Sequence, residues 1–564
     1  MHRSARKSLF LALLVLGCPK ATPVVTPEKP KPLTEQEQAR AAERAIGEEL
    51  AQVLMEEDER LWEHFTTGAP LDLRGVWTGH EALLSPKARD TVRNARVLAA
   101  DDPHTLGALE AALLGERTAR VTADAAAEAD IAFENATFVS DGKTLHLRDL
   151  NRLLSNEKSA VKRKVVYTAS LPAMAQAGAA RTRWAKKLDE AVKADGFEPQ
   201  AAAELLLGRS LADSEAEAMQ LIDSTRAEWQ GLLAGLSVRD LQLPVDKLTR
   251  ADFPRLLRGN TPADVRFGKG EVPVRATELL GQLGLYGAPG LTLDWSTSPR
   301  KLPIPFTVAP RGPTDVRLSY LPSGGLRDMS TLLDELGRAL AHHGAAPRFD
   351  SERLGSPAWA DATGELFAQL AWDPVWLAAS GIPAEQAGAA GDEVHAGRLY
   401  VARKAAGEFL AQLRSREQPP EKAAEIWRST MSLALGVPVA ADESARIELD
   451  ASPLFRQAEL VHEYMLAQQL HRALILYRAD WWKAPEAARF LAAYWAPGSA
   501  GAKPPEMNDG GVVMPEVKPW RPAAWDKPRS APVAADAGFA FDAPNADAGI
   551  SVRDAGAVDA GKSL

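Results

Sequence analysis

The sequence predicts a mainly α-helical protein, and three observations carry that expectation. Segments such as 35–65 (EQEQARAAERAIGEELAQVLMEEDERLWEHF) and 201–236 place apolar residues three and four apart. The same segments are rich in Ala, Leu, Glu and Arg, which lose little freedom in a helix. The longest exception, 291–321, alternates in the β manner but is broken by prolines, so it reads as a small sheet with irregular edges. Helices resume at about Asp328 and run to Pro497.

Composition bounds the function classes. The chain has 564 residues, 46% hydrophobic and 25% charged, ordinary globular values that leave room for a sizeable core. Its 66 Lys and Arg against 75 Asp and Glu give a net charge of −9, so there is no general basic field for nucleic acid. The single Cys excludes an intramolecular disulfide framework, and no CxxC pair exists for zinc or redox chemistry.

Residues 1–18 (MHRSARKSLFLALLVLGC) carry Arg3, Arg6 and Lys7, then an apolar run from Leu9 to Leu16 that is too short for a membrane span. The run ends in Val15-Leu16-Gly17-Cys18, which resembles a bacterial lipobox. That resemblance implies removal of the segment, lipidation of the Cys18 thiol and a membrane anchor. An ordinary signal peptide with a chance Cys is the alternative. Removal lowers the net charge to −12, and a lipidated Cys18 leaves no thiol for nucleophilic catalysis. Residues 19–32 hold five prolines and read as a semi-rigid stalk within a linker at 19–34. Pro19 is not the usual inner-membrane retention residue, which points to the outer membrane of a cell envelope, facing the periplasm or the surface.

The remainder divides into an N-terminal helical part at 35–250, a second part at 251–498 and a tail at 499–564 expected to be disordered. The tail is rich in Gly, Pro and Ala and repeats Asp-Ala-Gly at 536–538, 547–549, 554–556 and 559–561 with no fixed period. None of these repeats has the ligand spacing of a calcium loop, so a solvated tail is favoured over weak calcium binding.

No HExxH, GxSxG, P-loop or helix-opening GxGxxG occurs. The ten histidines are adjacent only at His342-His343, and helix neighbours one apart point in different directions. No zinc site is legible by spacing alone.

One stretch nevertheless has the layout of a zinc peptidase. It is 330–377, STLLDELGRALAHHGAAPRFDSERLGSPAWADATGELFAQLAWDPVWL. Its core, DELGRALAHH, resembles the HE(L/F/M)GHxxH helix of the gluzincin metallopeptidases. The nearest groups are the oligoendopeptidase F and thimet oligopeptidase family and the related angiotensin-converting-enzyme family. SPAWADATGELFAQLAWDPVWL is similar to the helix that carries the family's Glu ligand. Residues 292–325 look like the strands before the zinc helix, and 460–498 like the C-terminal helices. The resemblance covers 250–498. It implies a large elongated helical body with a deep cleft and a small β-sheet beside the zinc helix.

Carried over residue by residue, the resemblance puts the first zinc His on Asp334, the general-base Glu on Glu335, the second zinc His on Arg338 and the ligand Glu on Asp361. Glu365 follows one turn later. His462 and Tyr464 fall on the helix from which the family supplies donors to the substrate carbonyl. The implied site is therefore degenerate, with Glu335 a vestigial base and no metal. Zinc takes neutral imidazole, thiolate or carboxylate at about 2 Å. Arginine offers only donors and stays cationic, so Arg338 repels a dication.

The same residues suit another arrangement. Asp334 and Arg338 are four apart with the acid first, the favourable order on a helix. A guanidinium bridging Asp334 and Asp361 would fill the space of the lost metal and join two helices. A solvated helix face is the plain alternative. The expected function is a lipid-anchored pseudopeptidase that binds peptide or an envelope protein without hydrolysis and without a cofactor. One alternative is an active zinc metallopeptidase with atypical ligands, for instance Asp334, Asp361 and one of His342 or His343. His342 is more than two turns from Asp334, which is too far along the axis for one tetrahedral site. The other alternative is a non-catalytic structural envelope lipoprotein. Trp372, Trp376, Trp481 and Trp482 read as packing residues, and Lys162-Arg163-Lys164 as a solvated face.

Overall fold

The computed structural model describes residues 33–98, 103–258, 261–345, 354–501, 507–508 and 511–512. Cys18, the Pro-rich stalk to residue 32 and the Asp-Ala-Gly repeats lie outside the described residues. Within them the fold is mainly helical, with small sheets of two and three strands.

Helix α1 (Glu35–Thr67) opens with a capping box: Glu37 N–H donates to the Thr34 hydroxyl, and the Glu37 carboxylate accepts from Thr34 N–H at 2.7 Å. It ends at Gly68, whose φ of 72° is the left-handed cap glycine allows. Helices α2 (Pro86–Leu98) and α3 (Pro103–Asn135) pack on α1 around Leu50, Val92 and Leu106. A hairpin follows, β1 (Thr137–Ser140) with β2 (Lys143–His146). Asp141 and Gly142 have φ of 49° and 71°, as a two-residue primed turn requires. This strand pair lies within the part read as mostly helical, 35–250. The alternation TFVS-DG-KTLH carries the hairpin signal in eight residues of strand.

Phe138 of the hairpin packs with Leu171 and Met174 of α4 (Ala160–Ala194). Arg163 on α4 is buried and sits 2.7 Å from Asp252, so the basic run is not one solvated face. Lys162 and Lys164 are exposed, while Arg163 turns inward to a carboxylate that offsets its desolvation. Helix α5 (Leu211–Ser224) leads on toward α6 (Glu271–Gln282).

The three-stranded sheet has the order β3-β5-β4, from β3 (Leu291–Asp294), β4 (Phe306–Arg311) and β5 (Asp315–Ser319). β5 is central, parallel to β3 and antiparallel to β4. Helix α1 covers the β4 edge: Ala309 N–H donates to Asp58 at 3.0 Å, and Phe306 packs on Trp62 and Phe65.

Next come α7 (Leu326–Gly344), α8 (Ala358–Ala368), α9 (Ala384–Ser415), α10 (Pro420–Leu435), α11 (Gln457–Tyr477) and α12 (Pro485–Trp495). One apolar core gathers α6, the sheet, α7, α8 and α12 around Leu336, Leu340, Phe367, Trp481 and Trp482. A second lies among α5, α9, α10 and α11, around Phe409 and Met431. Leu332, Leu333, Leu336 and Leu340 on α7 have no exposure, and each such burial contributes about 1.5–3 kcal/mol. Trp376, Trp481 and Trp482 are core residues, and Trp372 stacks on His395 at 5.2 Å. Two short elements lie among the described residues near the start of the segment expected to be disordered. Gly498–Gly501 form a 3₁₀ turn, and Met507–Asn508 pair with Gly511–Val512.

Candidate functional site

Helices α7 and α8 cross at two glycines. A Cβ on Gly337 would lie 2.5 Å from the Thr363 carbonyl oxygen, and one on Gly364 would lie 2.7 Å from that of Asp334. Only glycine permits backbones this close. The crossing brings Asp334, Glu335 and Arg338 on α7 beside Asp361 and Glu365 on α8.

The Arg338 guanidinium is the centre of the group. It lies 3.3 Å from Asp334, 2.9 Å from Glu335 and 2.8 Å from Asp361. A second guanidinium, Arg398 on α9, lies 2.8 Å from the other oxygen of Asp334 and 3.4 Å from Glu365. Asp334 therefore links the two cations. Glu335 is committed: it accepts from Arg338 at 2.9 Å and from the Thr307 hydroxyl of β4 at 3.2 Å. Asp334, Glu335 and Glu365 are 7%, 3% and 4% exposed, so this is an interior network and not a solvated helix face.

The charges respond to that setting. Burial disfavours the Arg338 cation, but Asp334, Asp361 and Glu335 more than offset it, so the guanidinium is held firmly protonated. Burial pushes the Glu365 carboxyl up to about 7, with Asp334 adding to the rise and Arg398 opposing it. Glu463 on α11 faces the same group. Burial raises its carboxyl well above the usual range, and Asp361, Asp334 and Glu365 repel its charge further.

Tyr464 is buried, and its phenol is pushed up by burial and by Glu365. His462 points away from the cluster. Its Nδ1 lies 3.0 Å from Glu217 on α5, a carboxylate also held by Arg209. His342 packs edge-on against Trp359, and His343 Nδ1 is 3.0 Å from the Pro313 carbonyl, so the two rings serve different neighbours. Arg398 and Glu463 are members of the cluster that spacing did not reveal. Glu463 stands between the two residues singled out on α11, and a half-turn of register hides it. Arg398 comes from a helix that carries no motif.

Zinc does not fit these residues. The two positions that would flank Glu335 as ligands hold a carboxylate engaged with two arginines and a guanidinium with no lone pair. Among the described residues no group of three or more His, Cys, Asp or Glu is arranged to hold a metal ion. No described helix is long and apolar enough to cross a membrane. No protein-family model matches the chain, and no curated protein matches it in sequence.

Proposed function

We propose that this chain is a lipid-anchored pseudopeptidase: a helical body resembling the gluzincin metallopeptidases that holds peptide or an envelope protein without cleaving it. The observation that carries this reading is the contact of Arg338 with Asp334, Glu335 and Asp361. A metallopeptidase needs a Lewis acid beside its carboxylate base, to polarise the carbonyl and lower the pKa of water. Here the carboxylate that would be the base, Glu335, neutralises a fixed cation and is hydrogen-bonded to Thr307. Cys18 and the stalk supply the anchor in this reading, and Pro19 favours the outer membrane. Metal analysis of the purified chain together with cleavage of unstructured peptides tests it. Stoichiometric zinc with chelator-sensitive cleavage would establish the active metallopeptidase instead.

A second reading, a purely structural envelope lipoprotein, is favoured by the burial of Asp334, Glu335 and Glu365 in packed protein. Pull-down of envelope proteins or peptides by the intact protein separates it from the first. Specific capture supports the binding role, and none supports the structural one.

A further inference from the structure

Away from the Arg338 cluster, a hollow of about 310 Å³ lies between α4, the end of α9, α10 and the chain at 447–455. That volume is at the small end of ligand sites, which span about 300–1,000 Å³. Trp427, Ile447, Leu454 and Phe455 give it apolar walls. Leu454 and Phe455 hold φ of 52° and 58°, two successive side-chain-bearing residues in the left-handed region. Such backbone persists where the surrounding structure enforces it, often at ligand sites.

Two arginines line this hollow, Arg181 from α4 and Arg416 just beyond α9. Neither makes a close ion pair or a side-chain hydrogen bond to a described residue, and each only attracts one acid from farther off, Arg181 acting on Asp130 and Arg416 on Asp189. Arg181 Nε and Arg416 Nη1 are buried donors without an acceptor, and the Trp427 indole N–H is a third. Arg181 and Arg416 are half-buried and differ from the buried arginines of the chain in lacking an ion pair: Arg89 pairs with Asp195, Arg163 with Asp252 and Arg250 with Asp450, although Arg89 and Arg250 also keep buried nitrogens without a hydrogen bond. Buried donors left without acceptors are costly, and charged ones more so.

The acids around the hollow do not complete it. Asp450 is held by Arg446 at 2.8 Å and by Arg250 at 3.0 Å, and Glu408 by Lys404 at 3.0 Å. Glu448 is exposed. Asp189 is raised from its ordinary value by burial, against the pull of Arg416 and Lys193, and makes no ion pair with Arg416. Arg416 lies over the Phe455 ring at 6.0 Å, which places a cation and an apolar face side by side.

We propose that this hollow binds a carboxylate on an apolar body: Arg181 and Arg416 take the carboxylate, and Trp427 and Phe455 pack the apolar part. The carboxylate belongs to a peptide C-terminus or to a free organic acid, two sources with one chemistry. No residue of the Arg338 cluster lines the hollow, so this site stands or falls independently of the pseudopeptidase reading.

Isothermal titration calorimetry of the full chain tests it. The probes are phenylacetate, its neutral counterpart phenylacetamide, and a tripeptide ending in Phe as free acid and as amide. Phenylacetate or the free-acid peptide binds, and the neutral counterparts do not. The tighter of the two acids identifies the source. Arg416→Gln weakens binding by about tenfold or more, the scale of a lost charge-assisted contact. Arg181→Gln, on another helix, reads the same loss if Arg416→Gln fails to fold. Arg414→Gln, which removes a surface pair with Glu215, leaves binding unchanged. Binding of neither acid below about 10 mM, equal binding of phenylacetamide, or full affinity in folded Arg181→Gln and Arg416→Gln would overturn the proposal.

Discussion

Nε of Arg338 lies 2.8 Å from Asp361 across the α7–α8 crossing, and Asp334 meets the same guanidinium from its own helix at 3.3 Å. One side chain thereby neutralises acids on two helices at their closest approach. Arg338→Met strands Asp334, Glu335 and Asp361 without their common partner. The expected loss is about 3 kcal/mol, at the lower end for a broken buried pair because the Arg338 side chain keeps 19% exposure. Urea unfolding measures it. Adding Asp361→Asn to Arg338→Met is expected to recover part of the loss, as coupled residues do. A loss below about 1 kcal/mol would instead class the group with solvated surface pairs.

Glu365 gives the cluster a pH signature. Its folded-state pKa of about 7 lies above its ordinary value of 4.5, so the folded chain holds this proton more tightly than the unfolded chain. The resulting stabilisation is fully present below pH 4.5 and is lost as pH rises through about 7. Glu365→Gln, which keeps the shape and removes the charge, is expected to reduce the slope over this window, leaving the part that comes from Glu393, also pushed up to about 7 by burial, and to match or exceed the parent at pH 8. Unfolding midpoints from pH 5 to 8 decide it. An unchanged slope in the variant would place the titration elsewhere.

Gly337 and Gly364 set the distance over which Arg338 works. Gly337→Ala places a methyl 2.5 Å from the Thr363 carbonyl oxygen, a backbone atom that cannot turn aside. The helices must separate, at about 1–3 kcal/mol for overpacking. Gly281→Ala on α6, where a Cβ meets nothing within 4 Å, is the matched control and is expected to be neutral or stabilising. Thermal melts of the two variants compare them.

Much of this was legible in the sequence, for identifiable reasons. The apolar spacing on α7 announces a helix, and Pro-broken alternation announces the sheet at 291–321. The pairing of Arg338 with Asp334 follows from a four-residue step, whereas spacing alone does not place Asp361, which the resemblance put on the second helix. Local pattern did not reveal what distant helices contribute. Arg398 and Glu463 enter the cluster only through tertiary packing, and His462 leaves it because Glu217 on α5 competes for its ring. Arg163 looked solvated because its partner, Asp252, is 89 residues away. The β1–β2 hairpin was readable from Asp141-Gly142 but was masked by the long helices on either side.

If the scaffold is that of a zinc peptidase, restoring its ligands should restore the metal. Asp334→His with Arg338→His rebuilds a His-Glu-x-x-His helix facing Asp361. The double variant is expected to bind zinc by calorimetry, with affinity falling as pH drops and the imidazoles protonate. Failure of a folded double variant to take up zinc would show that α7 and α8 do not present the metal geometry.

The most direct test is the zinc content of the unaltered purified chain after incubation with excess zinc and desalting, read by mass spectrometry alongside cleavage of an unstructured peptide. Zinc far below stoichiometric with no cleavage is the expected result, because Arg338 already neutralises the acids that a metal would need. One zinc per chain, with cleavage that a chelator abolishes, would contradict it.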